Sequence, residues 1–149
     1  MKLDIVCRSD KYLPSYANTT DACMDLKARI VTGGSIFLHP KETVIMGSGI
    51  QVSIPENHVM LIFPRSSTGI KKHCMLANSV GVIDTGYRDE IKIALHNFGK
   101  EVIEINDGDR IAQFMIIPRP TIKALNIVND DETFRGGDRC GGIGSTGKW

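Results

Sequence analysis

Apolar and polar residues alternate along much of this chain with a period of two, the mark of half-buried β-strands. The clearest case follows Asp84-Thr85-Gly86, where Ile91, Ile93 and Leu95 alternate with Lys92, Ala94 and His96. Val80, Val82 and Ile83 precede the same turn and are strand formers. The pattern over residues 78–97 predicts a β-hairpin, with Gly86 free to take a positive φ at its tip. An acid, Asp84, then ends one strand, and an aromatic, Tyr87, follows three residues on. Such a tip could grip a small flat ligand. Asp in a turn and Tyr on a hairpin also serve structure alone.

Further strands are predicted over residues 3–7, 24–30, 43–54, 101–105, 110–117 and 121–128. Residues 58–63 form a continuous apolar run, a buried strand by length. Turns are expected at 32–35, 39–41, 55–57 and, most clearly, 106–109. Gly47 and Gly49 inside a strand-like stretch point to a bulge or a close backbone contact. Only residues 66–73 read as helical. Strand signals recur every roughly eight to twelve residues, the rhythm of a β-sandwich or barrel. The expected class is all-β, with residues 1–134 as one β domain.

Glycine dominates the remaining segment, residues 135–149, which cannot build a core. Two readings of it stand: a loose end, or an arm that orders on a ligand. Gly-rich backbone can cradle phosphate, and Arg135, Arg139 and Lys148 add positive charge. There is no P-loop signature.

Composition narrows the classes. The chain has 149 residues, 42% hydrophobic and 23% charged, ordinary for a globular protein. A net charge of +1 and a pI near 7.7 argue against a nucleic-acid-binding face but permit a small anionic ligand. The four cysteines, Cys7, Cys23, Cys74 and Cys140, form no Cys-x-x-Cys pair, so neither zinc nor redox chemistry is expected. They read as reduced thiols of a cytoplasmic protein. The N-terminus is too charged for a signal peptide, and no apolar run reaches membrane length.

Two more stretches carry candidate chemistry. In Pro64-Arg-Ser-Ser-Thr-Gly69, Arg65 with Ser66 and Ser67 at a helix start makes either an anion seat or a capped helix beside an exposed Arg. In Gly108-Asp-Arg-Ile-Ala-Gln113, Gln113 is a polar group on an apolar strand and needs a partner.

Together with Asp21-Ala-Cys-Met-Asp-Leu26, Gly81-Val-Ile-Asp-Thr-Gly-Tyr-Arg-Asp-Glu90 and Gly141-Gly-Ile-Gly-Ser-Thr-Gly147, these five stretches resemble, in order, the trimeric dUTP pyrophosphatase (dUTPase) family. The resemblance implies a β-jelly-roll or distorted barrel, assembled as a homotrimer with active sites at subunit boundaries. It implies Mg²⁺-assisted cleavage of dUTP to dUMP and pyrophosphate, which supplies dUMP for thymidylate synthesis and keeps uracil out of DNA. Asp84 matches the base that activates water for attack on the α-phosphorus. Tyr87 matches the residue packed under the deoxyribose. Asn78 and the backbone of Val82, Ile83 and Lys92 match the uracil-reading surface. Arg65, Ser66, Ser67 and Gln113 match phosphate contacts, and Asp25 the acid near metal-bound waters. The tail matches an arm that closes over the site, contributing Arg139, Ile143, Ser145 and Thr146.

The chain also departs from the family pattern. Ile143 replaces the aromatic that stacks on uracil. Either Arg135 or Arg139 can be the tail arginine, with Arg139 favoured by its compact spacing. Cys23 and Asp89 stand where the family has glycine. One rival, the related dCTP deaminase, needs a glutamate where Ala94 stands. Another is a binding or regulatory module on the same scaffold, with a regulatory protein partner if the source is a phage.

Overall fold

The period-two pattern becomes eleven strands in the computed structural model, which describes residues 1–128. They are β1 (Asp4–Cys7), β2 (Met24–Lys27), β3 (Ser35–Leu38), β4 (Thr43–Gly47), β5 (Ile50–Ser53) and β6 (His58–Pro64). After them come β7 (Cys74–Leu76), β8 (Gly81–Ile83), β9 (Lys92–Asn97), β10 (Ile103–Asn106) and β11 (Arg110–Pro118). All pairings are antiparallel: β2-β11-β6-β8, β4-β9-β7, β1-β5 and β3-β10. Alternate residues of all four sheets meet in one core, including Leu26, Leu38, Met46, Ile50, Met60, Leu76, Ile93, Leu95, Ile105 and Phe114. This is the jelly-roll architecture. On β9 the inward set Ile93, Leu95 and Asn97 is buried, as the alternation requires. Buried Asn97 is saturated by Leu38 O at 2.9 Å, Glu101 O at 2.8 Å and Gly99 N–H at 2.9 Å.

The predicted helix is a single π-helical turn, Ser67–Lys71, closed by Lys72 N–H on Ser67 O at 3.2 Å. The turn at 106–109 closes through Asp109 N–H on Asn106 O at 3.0 Å, with Gly108 at φ +92°. The stretch 43–54 splits into β4 and β5 at Ser48-Gly49. Gly49 sits at φ +76°, and a Cβ there would run into the Tyr12 ring. A Cβ on Gly47 would strike the Glu90 carboxylate. Both glycines therefore mark close approaches.

Two expectations fail. Residues 78–97 do not form a hairpin: β8 pairs with β6 and β9 pairs with β4 and β7, so the Asp84 turn carries the chain from one sheet to another. Turn chemistry and alternation are local and do not name a strand's partner. Tyr87 N–H closes that turn on Asp84 O at 3.0 Å, and Gly86 is not at positive φ. Residues 121–128 are not a strand either. Ile122, Leu125 and Ile127 are 77%, 85% and 86% exposed, and no described sheet edge takes their backbone. The alternation is present, but a strand also needs a partner for its N–H and C=O groups. Two short strands, β3 and β7, and a 3₁₀ turn at Asp10–Tyr12 were not predicted; three or four residues are too few to show a period.

Candidate active site

The first candidate cluster forms where β2, β11 and the end of β6 lie side by side. Register sets Gln113 opposite both Asp25 of β2 and Phe63 of β6. Asp25 is buried and receives two guanidinium groups, Arg65 Nε at 2.7 Å and Arg110 Nη1 at 3.0 Å. Arg65 Nη1 also donates to Arg110 O at 3.3 Å, and Gln113 Nε2 to Pro64 O at 3.0 Å. Two guanidinium groups share the buried Asp25, and Asp21 adds a second carboxylate on the cleft wall, so the formal charges there balance. A cleft of about 320 Å³ opens beside them, lined by Asp21, Cys23, Asp25, Arg65, Ser66 and Gln113. Ser66 precedes the π-helical turn and makes no side-chain cap bond; Ser67 begins it, half-buried. Guanidinium N–H groups and serine hydroxyls at one cleft are the donors that an anion requires.

The second cluster lies elsewhere. Asp84 is exposed immediately after β8, and Thr85 Oγ1 donates to His58 O at 2.9 Å. β8 is the edge strand of its sheet, with Val82 60% exposed and Ile83 half-buried. Asn78 is exposed in the β7–β8 connection, where Val80 N–H reaches Asn78 O at 2.7 Å. Tyr87 is half-buried and donates its hydroxyl to Glu90 O at 2.9 Å. Burial pushes its phenol pKa up, with Asp89 and Glu90 adding to the effect. Lys92 opens β9, its backbone opposite Gly47.

The chain does not unite the two clusters. Thr85 meets β6 at His58, and Ile83 pairs with Met60; Arg65 follows Pro64 at the other end. Seven residues of β6 span about 20 Å at about 3.3 Å each. Arg135, Arg139, Ile143, Ser145 and Thr146 lie outside the described residues.

Sequence reasoning missed Arg29 and gave Glu90 no role. Glu90 is buried behind Tyr87. It takes Arg29 Nε at 2.7 Å and Nη2 at 2.5 Å, and Gly49 N–H at 2.8 Å. Lys92 Nζ stands 3.5 Å away. The Arg29 hydrogen bonds, with help from Gly49 and Lys92, hold the Glu90 carboxyl down to about 2. The available signal was the pair of glycines in one strand-like stretch, which announces a close contact but not its partner.

No group of three His, Cys, Asp or Glu side chains converges among the described residues. Both Asp25 oxygens already accept from arginine, which disfavours direct ligation of a metal ion by Asp25. Cys7, Cys23 and Cys74 are free thiols; burial raises Cys23 and pushes Cys74 up to about 11, which disfavours thiolate chemistry. Ala94 on β9 offers no acid for deamination. Among the described residues no helix is long and apolar enough to cross a membrane.

A family model described as dUTPase matches residues 9–147. The deoxyuridine 5'-triphosphate nucleotidohydrolase of Finegoldia magna is 40% identical over 147 residues, 99% of either chain. That of Escherichia phage T5 is 36% identical over 139 residues, 91% of either chain. Among solved structures, a dUTPase of phage 80alpha is 26% identical, with TM-score 0.77 over 95% of this chain and 97% of that one. The dUTPase of phage phi11 of S. aureus is also 26% identical, with TM-score 0.75 over 90% and 100%.

Fold and matches define an all-β jelly-roll nucleotide hydrolase. The chain belongs to the dUTPase family, and its activity is dUTP hydrolysis.

Proposed function

We propose that this chain cleaves dUTP to dUMP and pyrophosphate at sites shared between copies of itself, in a homotrimer. Asp84 accepts a proton from a water that attacks the α-phosphorus in line with the leaving pyrophosphate. Arg65, Ser66, Ser67 and Gln113 hold the phosphates. Positioning and charge neutralisation do most of the work in such a displacement. Mg²⁺, when bound, supplies further neutralisation of the triphosphate. It would come with the substrate phosphates and keep several waters, and Asp25 is the side chain that would accept from one of them. Asn78 and the backbone of Val82, Ile83 and Lys92 read uracil, and the Tyr87 ring packs under the deoxyribose. A base edge read by fixed backbone groups rejects cytosine, which would leave a buried donor or acceptor unpaired. Residues 1–134 act as the β domain. Residues 135–149 close over the site, bringing Arg139, Ile143, Ser145 and Thr146 to the nucleotide.

One observation carries the shared site: the proposed base and the proposed phosphate seat stand at opposite ends of β6. Neither half is sufficient alone, and about 20 Å exceeds any side chain's reach.

Co-expression of two differently tagged inactive variants, Asp84→Asn and Arg65→Ala, tests this reading. Random mixing restores about a quarter of the sites when base and seat come from different subunits. Mixed assemblies as inactive as their parents would return both groups to one chain.

A regulatory reading stands second. The structurally similar dUTPase of Staphylococcus bacteriophage 80alpha is described as controlling transfer of virulence genes. A pull-down with wild type and Asp84→Asn, from a host lysate, separates a partner that senses the site from none.

A further inference from the structure

Glu90 is a buried carboxylate that the proposed chemistry does not use. Burying a charge is unfavourable unless it is paired and hydrogen-bonded. Here the surroundings are built for it. Arg29 meets it with two parallel hydrogen bonds, and Gly49 adds a backbone N–H. Gly47 leaves the space that any Cβ would take from the carboxylate. Arg29 is itself tied down, its N–H on Gly47 O at 2.8 Å. Its neighbour Ile30 donates to Asp107 Oδ1 at 2.9 Å, and Asp107 also takes the Tyr12 hydroxyl at 2.9 Å. Tyr12 in turn occupies the space beside Gly49.

The backbone around Glu90 is pinned on the far side as well. Ile91 O accepts from Ser48 N–H at 3.0 Å, and Ile91 N–H donates to Ile50 O at 3.0 Å. Residues 90 and 91 are therefore stitched to both sides of the β4–β5 break. The Tyr87 hydroxyl is anchored to this fixed point, Glu90 O, while Tyr87 N–H is held by Asp84 O. Both ends of the tyrosine are restrained, and its ring packs on the core.

We propose that Arg29 and Glu90 are positioning residues for Tyr87: their ion pair fixes the carbonyl that holds the Tyr87 hydroxyl, and so sets how firmly the ring excludes a ribose 2′-hydroxyl. The inference rests on Tyr87 being the sugar contact. Exclusion by crowding works only if the crowding group does not yield, because a ring free to tilt admits the larger sugar. A purely structural ion pair would lower stability and leave sugar selectivity untouched.

The test uses the full chain. Steady-state rates on dUTP and UTP are measured for wild type, Tyr87→Phe, Glu90→Gln, Arg29→Lys and Tyr87→Ala, each beside a thermal melt. Tyr87→Phe and Glu90→Gln should each lower the dUTP-over-UTP ratio of kcat/KM roughly tenfold, the scale of one lost hydrogen bond. The change should fall on KM more than on kcat. Arg29→Lys keeps the charge but loses the fork, and should fall between wild type and Glu90→Gln. An unchanged ratio in Glu90→Gln, with the protein folded and Tyr87→Ala strongly impaired in selectivity, overturns the inference and keeps Tyr87 as the sugar contact. An unchanged ratio in Tyr87→Ala overturns the sugar contact itself, and the inference with it. Should Glu90→Gln not fold, Arg29→Lys decides by the same criterion, since Tyr87→Phe leaves the ion pair in place and reads only the hydroxyl's own bond.

Discussion

Asp84 and Asp25 show how environment separates two carboxylates of one proposed site. Asp25 is buried between Arg65 and Arg110. Its charge holds two guanidinium groups in register, so Asp25→Asn should unbalance that end of the sheet and lower both melting temperature and activity. Asp84 is exposed after β8 and makes no ion pair among the described residues. Asparagine there keeps the shape and removes only the proton acceptor. Asp84→Asn should therefore melt as wild type does and still bind nucleotide. Its kcat should fall about 10²–10⁴-fold, the usual contribution of a general base. Steady-state kinetics beside a melting curve checks this, and a kcat within a few-fold of wild type would assign water activation to another group.

At the scale of elements, the β4–β5 break is held against the start of β9 by the Arg29–Glu90 pair, and this has a pH signature. The folded pKa of Glu90 is about 2, below the ordinary 4.5 it regains on unfolding. A depressed carboxyl stabilises the fold fully above its unfolded pKa and progressively less as pH falls toward its folded one. The melting temperature should thus hold above about pH 5 and drop between about 4.5 and 2. In Glu90→Gln the drop over that window should be shallower; an equal slope would mean that other carboxylates carry the acid sensitivity. The glycines on one side of this contact were legible, because Gly inside a strand pattern signals a close approach. Their partner was not: Glu90 lies about forty residues further on, and no local period links them. The same limit explains the hairpin. Asp84-Thr85-Gly86 was correctly a turn and residues 91–96 correctly alternating, but which strand each side joins is settled by the core they share with Met60 and Met46. The ordered motifs made the family legible, since five short stretches in register carry information that no single one does. Arg65 and Gln113 do meet at one cleft; that Asp84 lies a strand's length away needed coordinates.

For the whole molecule, the question is what residues 135–149 contribute. The described core runs from Tyr12 to Phe114, with partly buried residues extending it only from Leu3 to Ile116. The Gly-rich tail has little apolar area to add to it, and ordering glycine costs much backbone entropy. A chain ending at Phe134 should then melt within a few degrees of the full chain, no more than the shift that losing about 1 kcal/mol produces. Its kcat/KM on dUTP should nevertheless fall at least about 10²-fold, the order of losing one preorganised anion contact. The cut is placed so that Ile122, Leu125 and Ile127 remain. These exposed apolar side chains are suited to burial against another copy, and removing them would confuse assembly with catalysis. Melting temperature, mass in solution and kcat/KM are read on the same preparation. Retained mass and melting with lost turnover assigns the tail to the nucleotide. A large fall in melting temperature or mass would instead assign the tail to folding or assembly, and the division at residue 134 would have to be redrawn.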